Sequence, residues 1–248
     1  MLAVTALTLL GACAQGLAPE VVRAQPAVLL LGEQHDAPDH ARLQREWVES
    51  LAGRRQLAAL AIEMAEQGAT TAALAPQADE GAVREALRWN EQAWPWPRYR
   101  EPVMAAVRAG VPVLGANLPR AQMRSAMADV QLESLLPGSA LQAQQRAIRL
   151  GHCELLPEPQ IAPMTRIQIA RDRAMAETVL RAAVPGRTVV LIAGAGHVDE
   201  ALGVPRHLPE SLRVATLRLP PAPAGEDHCE SLRRQMAPPR GPAGPLTS

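Results

Sequence analysis

The chain has 248 residues, a length that suits one domain with a sizeable hydrophobic core. Its 25 basic and 25 acidic residues leave no formal net charge, which argues against a protein that binds nucleic acid through overall positive charge. Every basic residue is arginine, and phenylalanine is absent. The core must therefore be built from Leu, Val, Ile, Ala and Met, together with four Trp.

The first residues have the features of a targeting segment. Residues 1–12 are an apolar run that ends in small side chains, and the run is too short to span a bilayer as a helix. The stretch Leu10-Gly-Ala-Cys13 resembles the bacterial lipobox, whose cysteine is acylated after cleavage. We therefore expect a signal peptide at 1–12, a lipid such as palmitate on Cys13, and a lipid-anchored linker at 13–26. The expected location is the bacterial cell envelope, as an outer-membrane lipoprotein. The alternative for the apolar run is a buried first strand or helix.

Hydrophobic patterning predicts strands that alternate with helices along residues 27–219. Apolar runs predict strands near 27–31, 57–64, 111–115, 188–193 and 212–218. Amphipathic spacing predicts helices near 40–51, 69–76, 79–89, 100–109, 119–130, 138–150 and 164–183, the last with Arg171, Asp172 and Arg173 on its outer face. This alternation predicts a single α/β domain with a central, mostly parallel sheet covered by helices on both faces. The tail at 220–248 is rich in Pro, Gly and Arg and is expected to be partly disordered.

Polar side chains follow several of the predicted strands at the point where each strand ends. The set comprises Glu33, His35, Glu63, Asn117, Arg120 and His197. The spacing Gly-x-x-His occurs twice, from Gly32 to His35 and from Gly194 to His197. Because ligands bind at the carboxyl ends of the strands in open α/β sheets, we expect these groups on one edge. Imidazole ligates transition metals or haem iron, whereas Glu33 can instead act as a general base on a bound water.

An aromatic and proline-rich loop is predicted before the third strand. It carries Trp94 and Tyr99, and Pro95 and Pro97 prevent a regular helix there. The loop either covers an opening of the core or forms a flat apolar wall for a planar ligand. Tyr99 is also a candidate iron ligand, because tyrosine is an axial ligand in some haem proteins. His152, in a predicted loop, is the second candidate.

Two cysteines remain once Cys13 is set aside. Because an even number of cysteines remains in a protein expected in an oxidising envelope, we predict a disulfide between Cys153 and Cys229. Each of them follows a histidine, so a His/Cys metal site is the alternative. The two close ligand pairs that are typical of zinc sites are missing, however.

Taken together, these motifs resemble the ChaN-like haem-binding uptake family. The resemblance covers about residues 27–210 and rests on Gly32-Glu-Gln-His35, His40, Glu63-Met64, Trp94-Pro-Trp-Pro-Arg-Tyr99, Asn117-Leu-Pro, Arg171-Asp172, Met175-Ala176 and Gly194-Ala-Gly-His197. Members of this family are bacterial lipoproteins implicated in iron acquisition that bind haem, sometimes as dimers with stacked haems. The wider fold group contains erythromycin-esterase-like and TraB/TIKI-like proteins, which use similar Gly-x-x-His and Glu positions for hydrolysis.

The resemblance implies a membrane-anchored haem-binding lipoprotein of an iron-uptake system. Its expected partners are haem, a membrane reached through the lipid, a haem-uptake receptor or transporter, and a second copy of the chain. The expected haem site comprises Glu33, His35, His40, Glu63, Trp94, Tyr99, Asn117, Arg120, His152 and His197. His152 or Tyr99 would hold the iron, and Arg98 or Arg120 would contact the propionates. The alternative is a hydrolase of the esterase or peptidase kind, metal-dependent or not, that uses Glu33, His35, Glu63 and His197.

Overall fold

The structure is a computed structural model, and it describes residue 21, residues 24–221 and residues 228–236. The expected signal peptide, Cys13 and most of the linker lie outside these residues, as do 222–227 and 237–248 of the tail. No helix within the described ranges is long and apolar enough to cross a membrane.

Five strands form one sheet in which all neighbouring strands are parallel. They are β1 (Val28–Glu33), β2 (Leu57–Glu66), β3 (Val113–Asn117), β4 (Thr188–Gly194) and β5 (Val214–Arg218). Their order across the sheet is β3-β2-β4-β1-β5. Every residue of β1 and β4 is buried, as expected for strands that are covered on both faces. The predicted α/β class and mostly parallel sheet are therefore confirmed.

Helices cover the two faces of the sheet. They include α1 (His40–Gly53), α2 (Glu80–Ala86), α3 (Arg100–Arg108), α4 (Arg120–Ala128), α5 (Gly138–Gly151), α6 (Glu158–Ala182) and α7 (His228–Met236). Leu29 and Leu31 pack with α1 and α3 on one face, whereas Val28 and Leu30 pack with α6 on the other. This follows from the alternation of side chains along a strand, and it gives the protein a core on each side of the sheet.

Residues 69–76 are not helical, contrary to the prediction from the sequence. The backbone N–H of Thr71 donates to the carbonyl of Val113 at 3.0 Å, and that of Gly115 donates to Ala69 at 2.9 Å. The segment therefore runs along the free edge of β3, and a turn at Gly68 (φ +89°) leads into it. Satisfying the backbone groups of this edge outweighs the weak helix preference of a short Ala- and Thr-rich run.

Helix α6 begins six residues before its predicted start and contains Pro163. Proline removes one backbone hydrogen bond from a helix and normally ends it. Here the extra turn is retained because Ile161 is buried and the hydroxyl of Thr165 donates to its carbonyl at 2.8 Å. Tertiary packing therefore decides where this helix starts.

The assignment of Arg171 and Asp172 to the outer face of α6 is wrong. Asp172 is completely buried, and the side chain of Arg171 is only 22% exposed. Asp172 lies three residues from both Ile169 and Met175, which are fully buried. Residues at this spacing share one helix face, so Asp172 belongs to the face directed at the sheet.

The tail contains a helix, α7, in a region that was expected to be partly disordered. A disulfide joins Cys153 to Cys229, with the two Cα atoms 5.4 Å apart, which confirms the predicted pairing. The bridge connects α7 to the segment between α5 and α6 and closes a long loop of the chain.

Candidate functional site

The end of β1 carries the first pair of ionisable groups. The buried carboxylate of Glu33 accepts a hydrogen bond from His35 Nδ1 at 2.8 Å and another from the side-chain amide of Gln44 on α1. Gly32 is required just before this pair, because a Cβ there would lie 2.3 Å from Cγ2 of Val198. The close packing of the two strand-exit turns therefore positions His35 at the edge of the sheet.

Burial and nearby charges shift the pKa values of His35 and of its neighbour Tyr99. Burial alone lowers the pKa of His35, but the hydrogen bond to Glu33 and the charge of Glu63 outweigh burial and raise it above its usual value. Burial and then the charge of Glu33 raise the pKa of Tyr99, whose hydroxyl lies 3.5 Å from His35 Nδ1. Tyr99 is therefore a neutral phenol in this site, and His35 readily carries a proton.

A second ionisable cluster joins β2, β4 and α6. Nδ1 of His197 donates to Oδ1 of Asp172 at 2.5 Å, and Nε2 lies 3.5 Å from Oε1 of Glu63. Arg171 donates to the same Glu63 oxygen, and the backbone N–H of Gly194 donates to the other at 2.7 Å. The side chains of His197, Asp172 and Glu63 are all buried, so their charges interact strongly.

Mutual charge compensation governs the pKa values in this cluster. Burial lowers the pKa of His197, but the charges of Glu63 and Asp172 outweigh burial and raise it to about 9. Burial raises the pKa of Glu63, yet the positive charges of His197 and Arg171 hold it well below its usual range. Asp172 keeps a raised pKa, because burial dominates and its Oδ2 has no hydrogen-bond partner within the described residues. At neutral pH the cluster therefore holds an imidazolium and a carboxylate away from water.

The two clusters are adjacent. His35 Nε2 lies 4.0 Å from Oε2 of Glu63, so the two strand-end histidines are on either side of one carboxylate. A Cβ at Gly194 would lie 2.8 Å from His35 Nε2, which explains why glycine is needed at this strand end. The structure thus brings together Glu33, His35, Glu63 and His197, the four residues singled out for a possible hydrolytic site.

Asn117 and Arg120 lie on the neighbouring side of the same edge. The side-chain oxygen of Asn117 accepts from Arg171 Nε at 2.9 Å, which fixes Arg171 between Asn117 and Glu63. The backbone N–H of Arg120, at the start of α4, donates to Glu66 at 3.1 Å, and its guanidinium forms no ion pair within the described residues. Both predicted residues therefore adjoin the ionisable cluster, Asn117 as a positioning group and Arg120 as a cation that lines the cavity.

The aromatic loop packs against this edge. A short 3₁₀ turn at Trp96–Arg98 follows Pro95, in line with the expected absence of a regular helix. The ring of Trp94 contacts the His35 ring edge-on, with centroids 4.9 Å apart, and lies 5.9 Å from that of Tyr99. Trp96 and Tyr99 are buried, whereas Trp94 is partly exposed. The loop therefore closes the core and also presents one aromatic face to the site.

A cavity of about 430 Å³ opens between this aromatic face and Arg171. Its apolar walls include Met64, Trp94, Leu118 and Met123. Its charged residues are Arg88, Arg120 and Arg171, together with the carboxylates of Glu63 and Glu66. The volume lies in the usual range for small-molecule pockets, and apolar walls combined with an excess of arginines over carboxylates suit a flat apolar ligand bearing carboxylates.

Of the predicted haem-site residues, only Glu63, Trp94, Asn117 and Arg120 line the cavity, and His40 and His152 have partners elsewhere. His40 is buried at the start of α1, where Nδ1 accepts from the backbone N–H of Gln34 at 3.1 Å and Nε2 donates to the carbonyl of Pro220 at 2.8 Å. It therefore attaches the final segment to the loop after β1. His152 follows α5 and donates through Nδ1 to the carbonyl of Ile148 at 2.8 Å, which leaves the lone pair of Nε2 available.

The sequence prediction missed four residues that contact the strand-end groups. Asp172 bonds His197, Gln44 bonds Glu33 and Arg171 bonds Glu63, while the amide of Gln168 lies 3.0 Å from His197 Nδ1, whose proton is already donated to Asp172. Helical spacing indicated Asp172, because it falls on the buried face of α6. Gln44 occupies the comparable buried position on α1, whereas no signal in the sequence relates Gln168 to a strand end that is 29 residues away.

No group of three or more His, Cys, Asp and Glu side chains within the described ranges could hold a metal ion. The alternative His/Cys site at Cys153 is replaced by the disulfide. What the edge offers instead is a pair of imidazoles beside buried carboxylates, next to a cavity that carries three arginines and two glutamates. Such an edge can bind an anionic planar ligand, or accept and donate protons.

Fold and site together define an α/β protein with a binding cavity and an ionisable cluster at the carboxyl edge of a parallel sheet. Residues 22–208 match the family described as haem-binding uptake, Tiki superfamily, ChaN. The match covers well over half of the chain, so the chain belongs to this family. Haem as the ligand of the family agrees with the resemblance noted in the sequence.

One solved structure supports the same fold, and a second is more distantly similar. The structure described as cofacial heme binding to ChaN of Campylobacter jejuni has a TM-score of 0.70 and 23% identity, covering 83% of this chain and 86% of that chain. The structure of the type III effector HopBA1 has a TM-score of 0.45 and 20% identity, covering 79% of each chain. No curated protein matches this chain.

Proposed function

We propose that the protein binds haem in the cavity at the carboxyl edge and serves haem or iron uptake. The observation that carries the proposal is the 430 Å³ cavity itself, which joins an aromatic wall to free arginines. Apolar contacts with Trp94, Met64 and Met123 suit the porphyrin plane. Family membership supports the same ligand.

Arginines Arg88 and Arg120 are the proposed partners of the haem propionates. Neither has an ion-pair partner within the described residues, and both line the cavity. Arg171 is a weaker candidate because it already bonds Glu63 and Asn117. Arg98, the other residue expected in this role, donates to the carbonyl of His35 at 3.4 Å, and this contact holds it beside the aromatic loop.

His152 is the proposed axial ligand of the iron. Its Nδ1 is fixed by a backbone carbonyl, which is the usual support for a histidine that binds metal through Nε2. Tyr99 is less suited, because burial and Glu33 keep its phenol protonated. His152 does not line the cavity: it precedes α6, whose start at Glu158 is 13 residues, or about 20 Å of helix, from Arg171, so a haem bound by His152 would extend from the cavity along α6.

Titration of haemin into the purified protein tests the proposal through the Soret band. We expect a saturable shift, with affinity about fivefold lower in Trp94→Ala, because the aromatic contact is worth roughly 1 kcal/mol. The double variant Arg88→Gln with Arg120→Gln should also bind more weakly. Arg124→Gln with Arg146→Gln removes two exposed arginines from α4 and α5 and is the matched control. Absence of a saturable shift in the native protein would rule out haem binding.

Electron paramagnetic resonance of the haemin complex tests the axial ligand separately. His152→Ala should lose the spectral signature of a coordinated imidazole, whereas Tyr99→Phe should retain it. If Tyr99→Phe alters the spectrum and His152→Ala does not, the assignment to His152 is wrong while haem binding stands.

The finer parts of the proposal concern location and partners. We place the protein in the bacterial cell envelope, anchored to the outer membrane by a lipid on Cys13, where it would exchange haem with an uptake receptor or transporter. A second copy of the chain could stack its own haem on the first, since the related Campylobacter jejuni structure is described as cofacial haem binding. Mass spectrometry of the membrane fraction should detect acylated Cys13. Light scattering should show a dimer only after haemin is added, and an unchanged monomer would exclude haem-linked pairing.

Hydrolysis is the second candidate function. The observation that favours it is the set of buried imidazoles and carboxylates with strongly shifted pKa values, an arrangement that is frequent in catalytic sites. His35 would be the base, because it is the more exposed of the two histidines beside Glu63. A panel of ester and peptide substrates, compared with His35→Gln, tests this function. Equal turnover by the native protein and His35→Gln, or no turnover by either, would exclude hydrolysis.

A further inference from the structure

The opposite end of the sheet carries a cluster of unpaired positive charge. We call this surface the amino edge, and it consists of the segments 24–27, 53–56, 109–112, 184–187 and 210–213, which precede the five strands. Its charged residues are Arg54, Arg55, Arg187, Arg213 and Glu210. All five are exposed, so the surface has an excess of three positive charges facing solvent.

The amino-edge arginines differ from most arginines on the helices. Arg42 and Arg173, for example, each bond a glutamate four residues ahead. No ion pair is formed by any of the four amino-edge arginines within the described residues. Arg54 instead contacts the Gln56 side chain at 2.9 Å, and Arg187 donates to the carbonyl of Arg55 at 3.3 Å. Their charges are therefore available to an external anion.

A cavity of about 420 Å³ lies within the amino edge. Arg187 and Arg213 line it together with the apolar side chains of Val184, Pro185 and Leu212. Val184 is 46% exposed, although it is an aliphatic residue. Two cations beside an exposed apolar rim match the boundary of a phospholipid layer, where phosphate groups lie next to hydrocarbon.

The chain also enters the fold at this edge. The carbonyl of Pro26 accepts from the Thr188 hydroxyl at 2.7 Å, and the backbone N–H of Ala27 donates to the carbonyl of Arg213 at 2.8 Å. Cys13 precedes Pro26 by 13 residues, a stretch that can span at most about 45 Å. A lipid on Cys13 would therefore be tethered to the fold at the amino edge, within at most this distance.

We propose that the amino edge docks on the anionic surface of a phospholipid bilayer, with lipid phosphates at Arg187 and Arg213. Docking in this orientation directs the carboxyl edge and its cavity away from the membrane, where haem can be exchanged with a partner. The inference extends the lipid anchor proposed above. Its test uses protein in which Cys13 is replaced, so that docking and anchoring are measured apart.

Vesicle binding of the full chain carrying Cys13→Ser tests the docking surface. We expect binding to vesicles of phosphatidylglycerol with phosphatidylcholine and little binding to phosphatidylcholine alone. Arg187→Gln with Arg213→Gln should reduce the affinity roughly 25-fold, because each arginine near an anionic surface contributes about a fivefold factor. Arg124→Gln with Arg146→Gln, which removes the same charge elsewhere, should leave the affinity nearly unchanged. Equal losses in the two double variants, or no loss in the first, would overturn the proposal.

A fluorescent label gives a readout of orientation. In the Cys13→Ser background, a label on Val184→Cys should shift to the blue when anionic vesicles are added, whereas a label on Val130→Cys, also an exposed valine, should not. A shift at position 130 that equals the shift at 184 overturns the orientation. Failure to detect acylated Cys13 in the native membrane fraction, with vesicle binding intact, would instead refute only the anchor.

Discussion

Raising the pH should destabilise the protein through a single buried histidine. Asp172 and Glu63 surround His197 and raise its pKa to about 9, compared with 6.5 for an ordinary histidine. The folded state therefore binds this proton more tightly than the unfolded state does. Stability from His197 is complete below pH 6.5 and is lost as the pH rises through 9.

The size of the effect follows from the same shift. A difference of about 2.5 pKa units corresponds to about 3 kcal/mol, since one unit is worth about 1.4 kcal/mol. This is a large part of the total stability of a typical domain. Glu63 does not oppose the effect, because its low pKa leaves it ionised in both states above pH 6.5.

Urea unfolding between pH 6 and pH 9.5, followed by circular dichroism, measures this loss. The Cys13→Ser protein avoids a free thiol at alkaline pH, and His197→Gln is the control. The histidine protein should lose about 3 kcal/mol of unfolding free energy over this interval, whereas the variant should change far less. A flat profile for the histidine protein, or an equally steep one for His197→Gln, would refute the charge assignment in the cluster.

Three further substitutions test the packing around the site. Glu63→Gln should reduce the unfolding free energy by roughly 3–5 kcal/mol, because His197 and Arg171 lose their buried counter-charge; a urea curve within about 1 kcal/mol of native would contradict this. Gly194→Ala should cost about 1–3 kcal/mol and displace His35, since the new Cβ meets Nε2 at 2.8 Å. Gly196→Ala is its matched control because nothing lies within 4 Å of that Cβ, and equal costs at the two positions would reject the clash. Replacing both Cys153 and Cys229 by Ala should cost about 4.5 kcal/mol, from the entropy of a loop with 76 residues of separation, and an unchanged thermal midpoint would show that the loop is not constrained in the unfolded state.

Proton binding by the cluster bears on both proposed functions. If haem occupies the neighbouring cavity, Arg171 is already bonded to Glu63, whose carboxylate also balances the imidazolium of His197, so the propionates depend mainly on Arg88 and Arg120. If the edge is catalytic, His35 exchanges protons with solvent while Glu63 and His197 remain as a buried ion pair. The Glu63→Gln variant should therefore affect haemin binding and hydrolysis differently, once its lower stability is taken into account.

Residue order along the chain was enough to predict much of the fold. The apolar runs of β1 and β4 identified two central strands, and the alternation with amphipathic helices gave a parallel α/β sheet. Local patterns failed where a distant partner decided the outcome. Residues 69–76 pair with the edge of β3, and α6 retains Pro163 because Ile161 is buried.

The candidate site likewise contains residues that the sequence predicts and residues that only the folded structure identifies. The sequence by itself located Glu33, His35, Glu63 and His197, because an apolar run followed by an acid or by Gly-x-x-His is a local pattern that can be recognised without knowledge of the packing. Only the tertiary structure showed which other side chains contact these four residues and which predicted residues lie outside the site. Asp172 and Gln168 come from a helix facing the sheet, whereas His40 is occupied by the carbonyl of Pro220, 180 residues away. Contacts between distant segments depend on how helices pack across the sheet, and a linear pattern of residues does not contain that geometry.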